Sequence, residues 1–372
     1  MRLDFLRPLY EGDGGCASLY LDASRTSQDA VEQVALRWRA ARERLAGDGA
    51  EPATLGALEY LVSGLAHSVP GLAAFARAGR VTFTAALPRP PIQEIGRYAR
   101  LPHVMPLLAQ EPPRVTQLHV RADRSGGEIV AVRPNTGVGE NPAGETAREE
   151  VSGQGWPVHK TSVGGWSQAR YQRSTEEAWA ENAKELAEAV TAAAAQYHAE
   201  LIVVAGDVRA RSLLLEHLST PLRESAVIVD REVDASSGLI EEVADEAVRA
   251  RIDGETRGRL EQFRAQLGAG LAVEGLAATL AALRDGQASD VFITDDPSSA
   301  ASAWAGPGPA DVAASRAELA ERGVEDAVPD RADAALVSAA TATGAELRFV
   351  PDGEQPPRSG VGALLRYQVP RP

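Results

Sequence analysis

The sequence has few of the features that mark secreted or membrane proteins. Its 372 residues include a single cysteine, Cys16, which excludes an internal disulfide and is typical of proteins from a reducing cytoplasm. No apolar run reaches the roughly 18 residues of a membrane-spanning helix, and the N-terminus has no signal-peptide pattern. We therefore expect a cytoplasmic protein without a membrane contact.

Signatures of metal and cofactor chemistry are also missing. The sequence contains no HExxH and no CxxC motif, and its 6 histidines lack the spacing of metal ligands. The glycines at 137–139 and 360–362 resemble nucleotide-binding loops only weakly, and turn or strand glycines are the better interpretation. His159 and Ser162 could form a base–nucleophile pair, but no acidic residue lies nearby in the sequence to orient it. We expect no catalytic residue, no metal and no cofactor.

Acidic residues are absent from one stretch of an otherwise acidic chain. The formal net charge of −14 argues against DNA binding and against any broad contact with nucleic acid. Residues 151–175 nevertheless contain no acid, and their formal charges are Lys160, Arg170 and Arg173. Any contact with RNA must therefore be local. We call residues 151–173 the tip segment.

The tip segment combines glycines with two tryptophans. Gly155, Gly164 and Gly165 flank Trp156 and Trp166, and glycine allows a backbone to approach a ligand closely. This arrangement favours a loop that probes a partner over a segment of the core. An ordinary solvated surface loop is the alternative interpretation.

A long amphipathic helix is predicted after the tip segment. Its apolar stripe consists of Leu186, Val190, Ala194 and Tyr197. The helix can begin near Arg170, or at Ser174, where Ser174 and Glu177 form a capping-box pattern that leaves 160–173 as an open loop. In both cases Arg170 and Arg173 lie close to a helix N-terminus, which favours anions such as phosphate.

The length of the chain and its proline- and glycine-rich stretches predict the domain organisation. A chain of this length has about two or three domains. Proline- and glycine-rich stretches divide it into an N-terminal α/β domain (1–112), a middle domain that carries the tip segment (113–235) and a C-terminal α/β domain (236–372). In the middle domain, the alternation of a strand (201–206), a helix (208–218) and a strand (226–230) predicts a parallel pair covered on both faces.

Apolar patterning predicts further elements in the two outer domains. In the N-terminal domain these are a strand at 16–22, helices at 31–45 and 55–67 and a strand at 81–85. In the C-terminal domain they are a helix at 240–263 interrupted around Asp253-Gly254, helices at 273–284 and 331–343, and strands at 290–294, 346–350 and 364–368.

The first predicted helix carries a cluster of arginines. Its apolar face consists of Val31, Val34, Ala35, Trp38, Ala41 and Leu45. The remaining surface includes Arg37, Arg39, Arg42 and Arg44. We interpret these as a solvated face that pairs with Glu32 and Glu43, because such pairs are common on helices. The alternative is a contact with ribosomal RNA phosphates.

The tip segment resembles a known loop. The string GGWSQARY at 164–171, followed by Arg173 and a long helix, is similar to the Gly-Gly-Gln loop and following helix of the archaeo-eukaryotic peptide-release-factor and Pelota family. The string GVGALLRY at 360–367 is similar to the glycine-rich closing strand of the third domain in that family. The resemblance implies a mixed α/β, three-domain architecture with a projecting glycine-rich loop on the middle domain. It also implies that the loop enters the ribosomal peptidyl-transferase centre.

Two departures from the family limit what can be expected. The Asn-Ile-Lys-Ser motif used in stop-codon reading is absent, so codon recognition is not expected. Trp166 stands where the family has its glutamine, the residue associated with coordinating the attacking water. These departures point to the bacterial branch of the family, which includes hibernation factors that occupy the vacant A site of the ribosome.

Two functions follow from the resemblance. The first is a non-catalytic factor that binds the 70S ribosome and its RNA through Lys160, Gly164, Gly165, Trp166, Gln168, Arg170 and Arg173, with elongation factor Tu as a possible delivery partner. The second is a peptidyl-tRNA hydrolase or rescue factor in which Gln154 or Gln168 positions the water. Neither glutamine follows two glycines directly, as the family motif requires.

Overall fold

The computed structural model describes residues 1–24, 30–65, 69–110, 115–123, 126–132, 148–152, 168–229 and 239–368. These residues form two compact units. The first unit contains the described residues of Met1–Pro112 and Asp253–Pro372, and the second those of Pro113–Asn135 and Glu145–Ile252. Both units combine helices and sheets, so the predicted mixed α/β class is confirmed. The division into three domains stays a prediction.

An antiparallel sheet organises the N-terminal part of the first unit. The elements are a 3-10 helix (Asp4–Tyr10), β1 (Cys16–Asp22), α1 (Ala30–Gly47), α2 (Pro52–Ser63), β2 (Gly71–Arg77), β3 (Arg80–Leu87), β4 (Ile95–Ala99) and α3 (Met105–Leu108). The strand order is β3-β2-β1-β4. Val34, Trp38, Ala41 and Leu45 of α1 are buried, at the spacing of one helix face. Val31 and Ala35 are exposed, so their assignment to the apolar face was wrong.

The sequence patterns missed β2 and β4. Every residue of β2, GLAAFAR, is buried, although alanine and glycine are poor strand formers. The strand is held by its neighbours: β1 pairs with it over Ala17–Asp22, and β3 pairs with it on the other side. Tertiary pairing therefore overrides local propensity here.

The second unit is built on a five-stranded sheet. Its elements are β5 (Gln117–Asp123), β6 (Gly126–Val132), β7 (Arg148–Ser152), α4 (Gln168–Tyr197), β8 (Leu201–Gly206), α5 (Val208–His217), α6 (Thr220–Glu224) and β9 (Ala226–Ile228). The strand order is β7-β6-β5-β8-β9. β8 is parallel to both β5 and β9, which confirms the predicted parallel pair. α4 and α5 share one apolar cluster with β5, β6 and β8 on one face of the sheet.

The remaining elements complete the first unit. They are α7 (Leu239–Leu267), β10 (Ala272–Glu274), α8 (Leu276–Arg284), β11 (Ala288–Ile293), β12 (Ser302–Ala305), β13 (Val312–Ala313), α9 (Arg316–Ala320), β14 (Val328–Arg331), α10 (Ala332–Thr343), β15 (Glu346–Phe349), a 3-10 turn (Arg358–Gly360) and β16 (Val361–Leu365). The sheets have the orders β10-β16-β11-β15 and β13-β12-β14. The first half of α7 belongs to the second unit, where Ala244 and Val248 pack with Val203 and Ala205 on the other face of the sheet.

Two predictions for this part were wrong. α7 runs through Asp253 and Gly254 without interruption, because Gly254 is exposed and a single glycine costs a helix only about 1 kcal/mol. The helix predicted at 273–284 begins only at Leu276, and Ala272–Glu274 form β10 instead. Gly275, at φ +89°, separates them, a backbone conformation that side chains other than glycine rarely adopt.

Candidate functional site

The tip segment is attached to the second unit by β7 and α4. Gln154, Trp156, Lys160, Gly164, Gly165 and Trp166 lie outside the described residues. Gln168, Arg170 and Arg173 lie on the described backbone of α4, and their side chains are outside the described part. The structure therefore describes how the segment is mounted, and the roles of these residues stay predictions.

Both attachments lie at one edge of the five-stranded sheet. Ser152, the last residue of β7, pairs with Glu128 near the start of β6. Glu128 pairs in turn with Arg121 close to the end of β5. β5, β7, β8 and β9 all end at this edge, which we call the carboxyl edge. The chain leaves β7 at the carboxyl edge and returns to the unit through α4.

α4 runs from the carboxyl edge back along the sheet. Leu186, Val190, Ala194 and Tyr197 are all buried, which confirms the predicted apolar stripe. Leu186 packs against Gly127, the second residue of β6 and thus close to the carboxyl edge. Because Tyr197 precedes β8 at the opposite edge, the residues of α4 before Leu186 extend past the carboxyl edge.

The first turns of α4 form a long extension. Ala183 is the first residue of the helix described as buried, and Trp179 to Asn182 are exposed or half-buried. The 15 residues from Gln168 to Asn182 correspond to about 22 Å of helix. The tip segment is therefore mounted on several helical turns that lie beyond the sheet.

The helix begins at Gln168, so the alternative start at Ser174 is wrong. No glycine or proline interrupts the chain between Gln168 and Tyr197, and the residues before Ser174 are compatible with a helix. Arg170 and Arg173 both lie within the first two turns of the helix. The first turn carries no acidic residue. A helix start with cations and without carboxylates favours an anionic partner.

The end of β8 is fixed by local contacts at the carboxyl edge. Gly206 has φ +109°, and a Cβ there would lie 2.0 Å from the Ala122 carbonyl oxygen. Glycine is therefore required where β8 ends beside β5. Asp207 then caps α5, since its carboxylate accepts from the backbone N–H groups of Arg209 at 2.9 Å and Ala210 at 3.1 Å. These contacts fix the end of β8. In the sheet, β5 separates β8 from β6, the strand against which Leu186 of α4 packs.

The sequence patterns missed two parts of this mounting. β7 is polar and short, and only its pairing with β6 reveals it as a strand. Gly127 lies inside β6, and Leu186 of α4 packs against it. The signal available in the sequence was the Gly126-Gly127 pair at the beginning of an apolar alternation, because glycine inside a strand often marks a close approach by another element.

The arginine cluster on α1 is largely occupied within the fold. Arg37 lies 3.0 Å from both Asp22 and Glu94. Arg44 donates to the Glu94 carbonyl oxygen at 3.2 Å, and Arg42 lies 3.9 Å from Glu59. These partners all lie outside α1, whereas the sequence predicted pairing with Glu32 and Glu43 of α1 itself. The pairing agrees with the interpretation of this face as structural.

Other kinds of chemistry find little support in the described part of the chain. That part contains no group of three or more potential metal ligands, and none of its helices has the length and apolarity to cross a bilayer. Burial raises the pKa of the Cys16 thiol to about 11, so it is protonated at neutral pH and poorly suited to be a nucleophile. The pair of His159 and Ser162 lies outside the described residues.

Comparisons with known proteins agree on one family. The sequence model of the bacterial archaeo-eukaryotic release factor family 2 matches residues 116–269. Two curated relatives, the uncharacterized proteins MT2704 and Rv2629 from two strains of Mycobacterium tuberculosis, are each 31% identical over 378 residues. Each alignment covers 99% of this chain and 97% of the relative.

Solved structures with similar folds include three archaeal proteins. The translation termination factor aRF1 is 17% identical, with 97% of this chain and 95% of that chain covered and a TM-score of 0.24. Archaeoglobus fulgidus Pelota is 16% identical, with 81% and 80% covered and a TM-score of 0.36. Archaeal Pelota, described as ribosome-bound together with ABCE1, is 14% identical, with 99% and 96% covered and a TM-score of 0.40. The family assignment rests on the sequence matches.

Proposed function

The chain belongs to the bacterial branch of the archaeo-eukaryotic release-factor family, and on that basis we propose that it is a ribosome-binding translation factor without hydrolase activity. The observation that carries the proposal is the mounting of the tip segment. A segment without acidic residues follows β7 at the carboxyl edge and leads into a helix whose first turns extend past that edge. In a protein of net charge −14, this segment carries the positive charges of Lys160, Arg170 and Arg173 and no carboxylate.

The proposed binding site is the ribosomal A site. In the family that the tip segment resembles, the corresponding loop enters the peptidyl-transferase centre. One structural relative, archaeal Pelota, is described as ribosome-bound. Lys160, Arg170 and Arg173 would meet RNA phosphates, and Trp166 would stack on a base. Gly164 and Gly165 would let the backbone approach the RNA, with Gln168 at the start of α4 beside them.

We further propose a role in ribosome hibernation, while delivery by elongation factor Tu stays a prediction. The support is the departure of the tip segment from the catalytic motif of the family, combined with the absence of a stop-codon motif. Both departures suit a factor that occupies a vacant A site and leaves the nascent chain intact. We also propose, because of these two departures, that the chain is similar to the hibernation factor Balon, a member of the bacterial branch.

The absence of hydrolysis follows from the residue types present in the tip segment. Trp166 has no amide to coordinate water. Gln168 is the first residue of α4, so its backbone belongs to the helix. The glutamine of the family motif belongs to the loop. Purified protein should release no peptide from stalled ribosomes above background. Release that disappears in Gln154→Ala or Gln168→Ala would establish the hydrolase instead.

Binding to 70S ribosomes is tested by cosedimentation across a range of salt concentrations. Replacing Lys160, Arg170 and Arg173 together by alanine should weaken binding. It should also flatten the dependence of log affinity on log salt by about 0.7–0.9 for each phosphate that is no longer neutralised. The matched control replaces Arg39, Arg42 and Arg44 by alanine, which removes the same charge from the exposed face of α1.

The two variants have the same net charge, so their comparison separates local contacts from long-range attraction. The control should bind like the wild type, because its arginines are not proposed to contact RNA. Equal binding by the tip variant and the wild type at about 0.15 M salt, where exposed charges are screened within about 8 Å, would refute the tip segment as the anchor.

A further inference from the structure

A helix near the end of the chain is enclosed by residues from both ends of the sequence. In α10, Ala332 and every residue from Ala334 to Thr341 are buried. A helix that is apolar on all sides must be covered on all sides. The elements that cover α10 include α8, β12 and β14 from the C-terminal part of the first unit, and the 3-10 helix Asp4–Tyr10 and α3 from its N-terminal part.

The apolar core continues without a break across these two parts. Tyr20 and Phe75 of the antiparallel sheet belong to the same buried cluster as Leu336 and Val337 of α10. The Tyr20 hydroxyl also donates to the His103 carbonyl oxygen at 2.7 Å, which holds the chain leading into α3 over the sheet. The cluster that buries these side chains is drawn from both parts.

A buried carboxylate joins the same two parts. The Asp330 side chain, at the end of β14, is only 1% exposed. It accepts from the Arg97 guanidinium at 2.5 Å, from the Leu101 backbone N–H at 3.0 Å and from the Arg331 backbone N–H at 2.7 Å. Arg97 and Leu101 belong to the N-terminal part, so two of these three hydrogen bonds form only when the two parts are together.

Further contacts follow the same boundary. The Leu347 backbone N–H donates to the Met1 carbonyl oxygen at 2.9 Å, and the Met1 amino group donates to the Leu347 carbonyl oxygen at 2.7 Å. Arg100 pairs with Asp326 at 2.9 Å, where the Asp326 side chain is 71% exposed. At this boundary the buried carboxylate of Asp330 and the exposed carboxylate of Asp326 are each paired with an arginine from the N-terminal part.

We propose that Asp330 is a clasp that makes the described residues of Met1–Pro112 and Asp253–Pro372 a single cooperative body. The two parts open and unfold together, although the second unit lies between them in the sequence. The N-terminal and C-terminal predicted domains then behave as one folding unit. This inference does not depend on ribosome binding. A buried charge whose partners come from both sides stabilises the joined state, because separation leaves groups on each side without partners.

Hydrogen exchange of the full chain, followed by mass spectrometry, tests the clasp. In the wild type, the slowest backbone amides of β1 and of α10 should open with the same equilibrium constant and the same urea dependence, since only unfolding of the whole body exposes them. Asp330→Asn should accelerate exchange in both elements together, on the order of a hundredfold. The amides of β8, in the second unit, should keep their rates.

Asp326→Asn is the matched control, because it removes the exposed carboxylate at the same boundary. Its effect should stay within about threefold, as for other exposed pairs. Acceleration confined to either β1 or α10 in Asp330→Asn would overturn the proposal, as would equal effects of the two variants. If Asp330→Asn fails to fold, the wild-type comparison decides. Opening constants that differ more than about tenfold between β1 and α10 would show two independent bodies.

Discussion

Leu186 lies so close to Gly127 that a Cβ added to the glycine would be 2.7 Å from the Leu186 Cδ2 atom. The same Cβ would lie 2.5 Å from the Arg121 carbonyl oxygen. Gly127→Ala should therefore lower the free energy of unfolding by about 1–3 kcal/mol, because the side chain or the backbone must shift to make room. Urea denaturation followed by circular dichroism measures this change.

A second glycine provides the control for that substitution. Gly254 is exposed inside α7, and a Cβ added there would meet no other atom within 4 Å. Gly254→Ala should raise the free energy of unfolding by about 0.5–1 kcal/mol, since alanine favours the helix. A Gly127→Ala protein as stable as the wild type would show that α4 packs more loosely on β6 than these distances indicate.

Asp290 should make the stability of the first unit dependent on pH. Burial raises the pKa of its carboxyl group, but hydrogen bonds from Arg348 (2.6 Å), Ser289 (2.8 Å) and Arg259 (2.6 Å) outweigh burial and place the pKa below its usual value. A group whose pKa is lower in the folded state stabilises that state above its unfolded pKa of about 3.9. This contribution is lost as the pH falls through the folded pKa.

Asp290→Asn should therefore cost about 3 kcal/mol at pH 7, because two arginines lose their buried partner. The difference from the wild type should shrink as the pH is lowered below about 4. Urea midpoints measured from about pH 7 to about pH 2.5 cover this range. Asp253→Asn is the control, since Asp253 is half exposed and 3.9 Å from Arg257, and should change stability by less than about 1 kcal/mol. A constant difference at all pH values would contradict the assignment.

Cys16 should be unreactive in the folded protein. The residue is fully buried, and burial raises its thiol pKa to about 11, so the thiolate fraction at pH 7 is on the order of one in ten thousand. A thiol reagent should modify the native protein at least about a thousandfold more slowly than the guanidinium-unfolded chain, because both access and ionisation require opening. Rapid native modification would show that β1 opens locally.

Trp166 should contribute to ribosome affinity through stacking. Replacement by alanine should weaken 70S binding by about 1–3 kcal/mol, the usual loss for one stacked base. The slope of affinity against salt should not change, since stacking releases few counterions. Cosedimentation at several salt concentrations measures both quantities. A changed slope with unchanged affinity at low salt would assign Trp166 a different role.

Predictions from the sequence were most accurate for helices and strands that have a strong hydrophobic pattern and a well-defined buried face. The strand at 201–206 is a continuous apolar run and has the same bounds in the structure. The stripe from Leu186 to Tyr197 is buried as expected. Both signals arise from burial against a single neighbouring layer, which periodicity encodes directly.

Features that depend on distant partners could not be predicted in this way. β2 and β4 are strands because β1 lies between them, and α10 is buried because residues from the start of the chain enclose it. Asp330 looks like any acidic residue near a helix start until Arg97 is placed beside it. For the site, residue types suggested what the tip segment contacts, but its mounting through β7 and Gly127 required the sheet register.

The enclosure of α10 also bears on how the chain is made. The surfaces contributed by Leu6, Leu9 and Phe75 are synthesised first, whereas the helix that fills the space between them begins only at Ala332. At the usual rates of bacterial protein synthesis, these apolar surfaces remain exposed for on the order of tens of seconds before α10 has been synthesised. We expect the nascent N-terminal part to be a chaperone client during that interval, and to complete its folding only after synthesis passes α10.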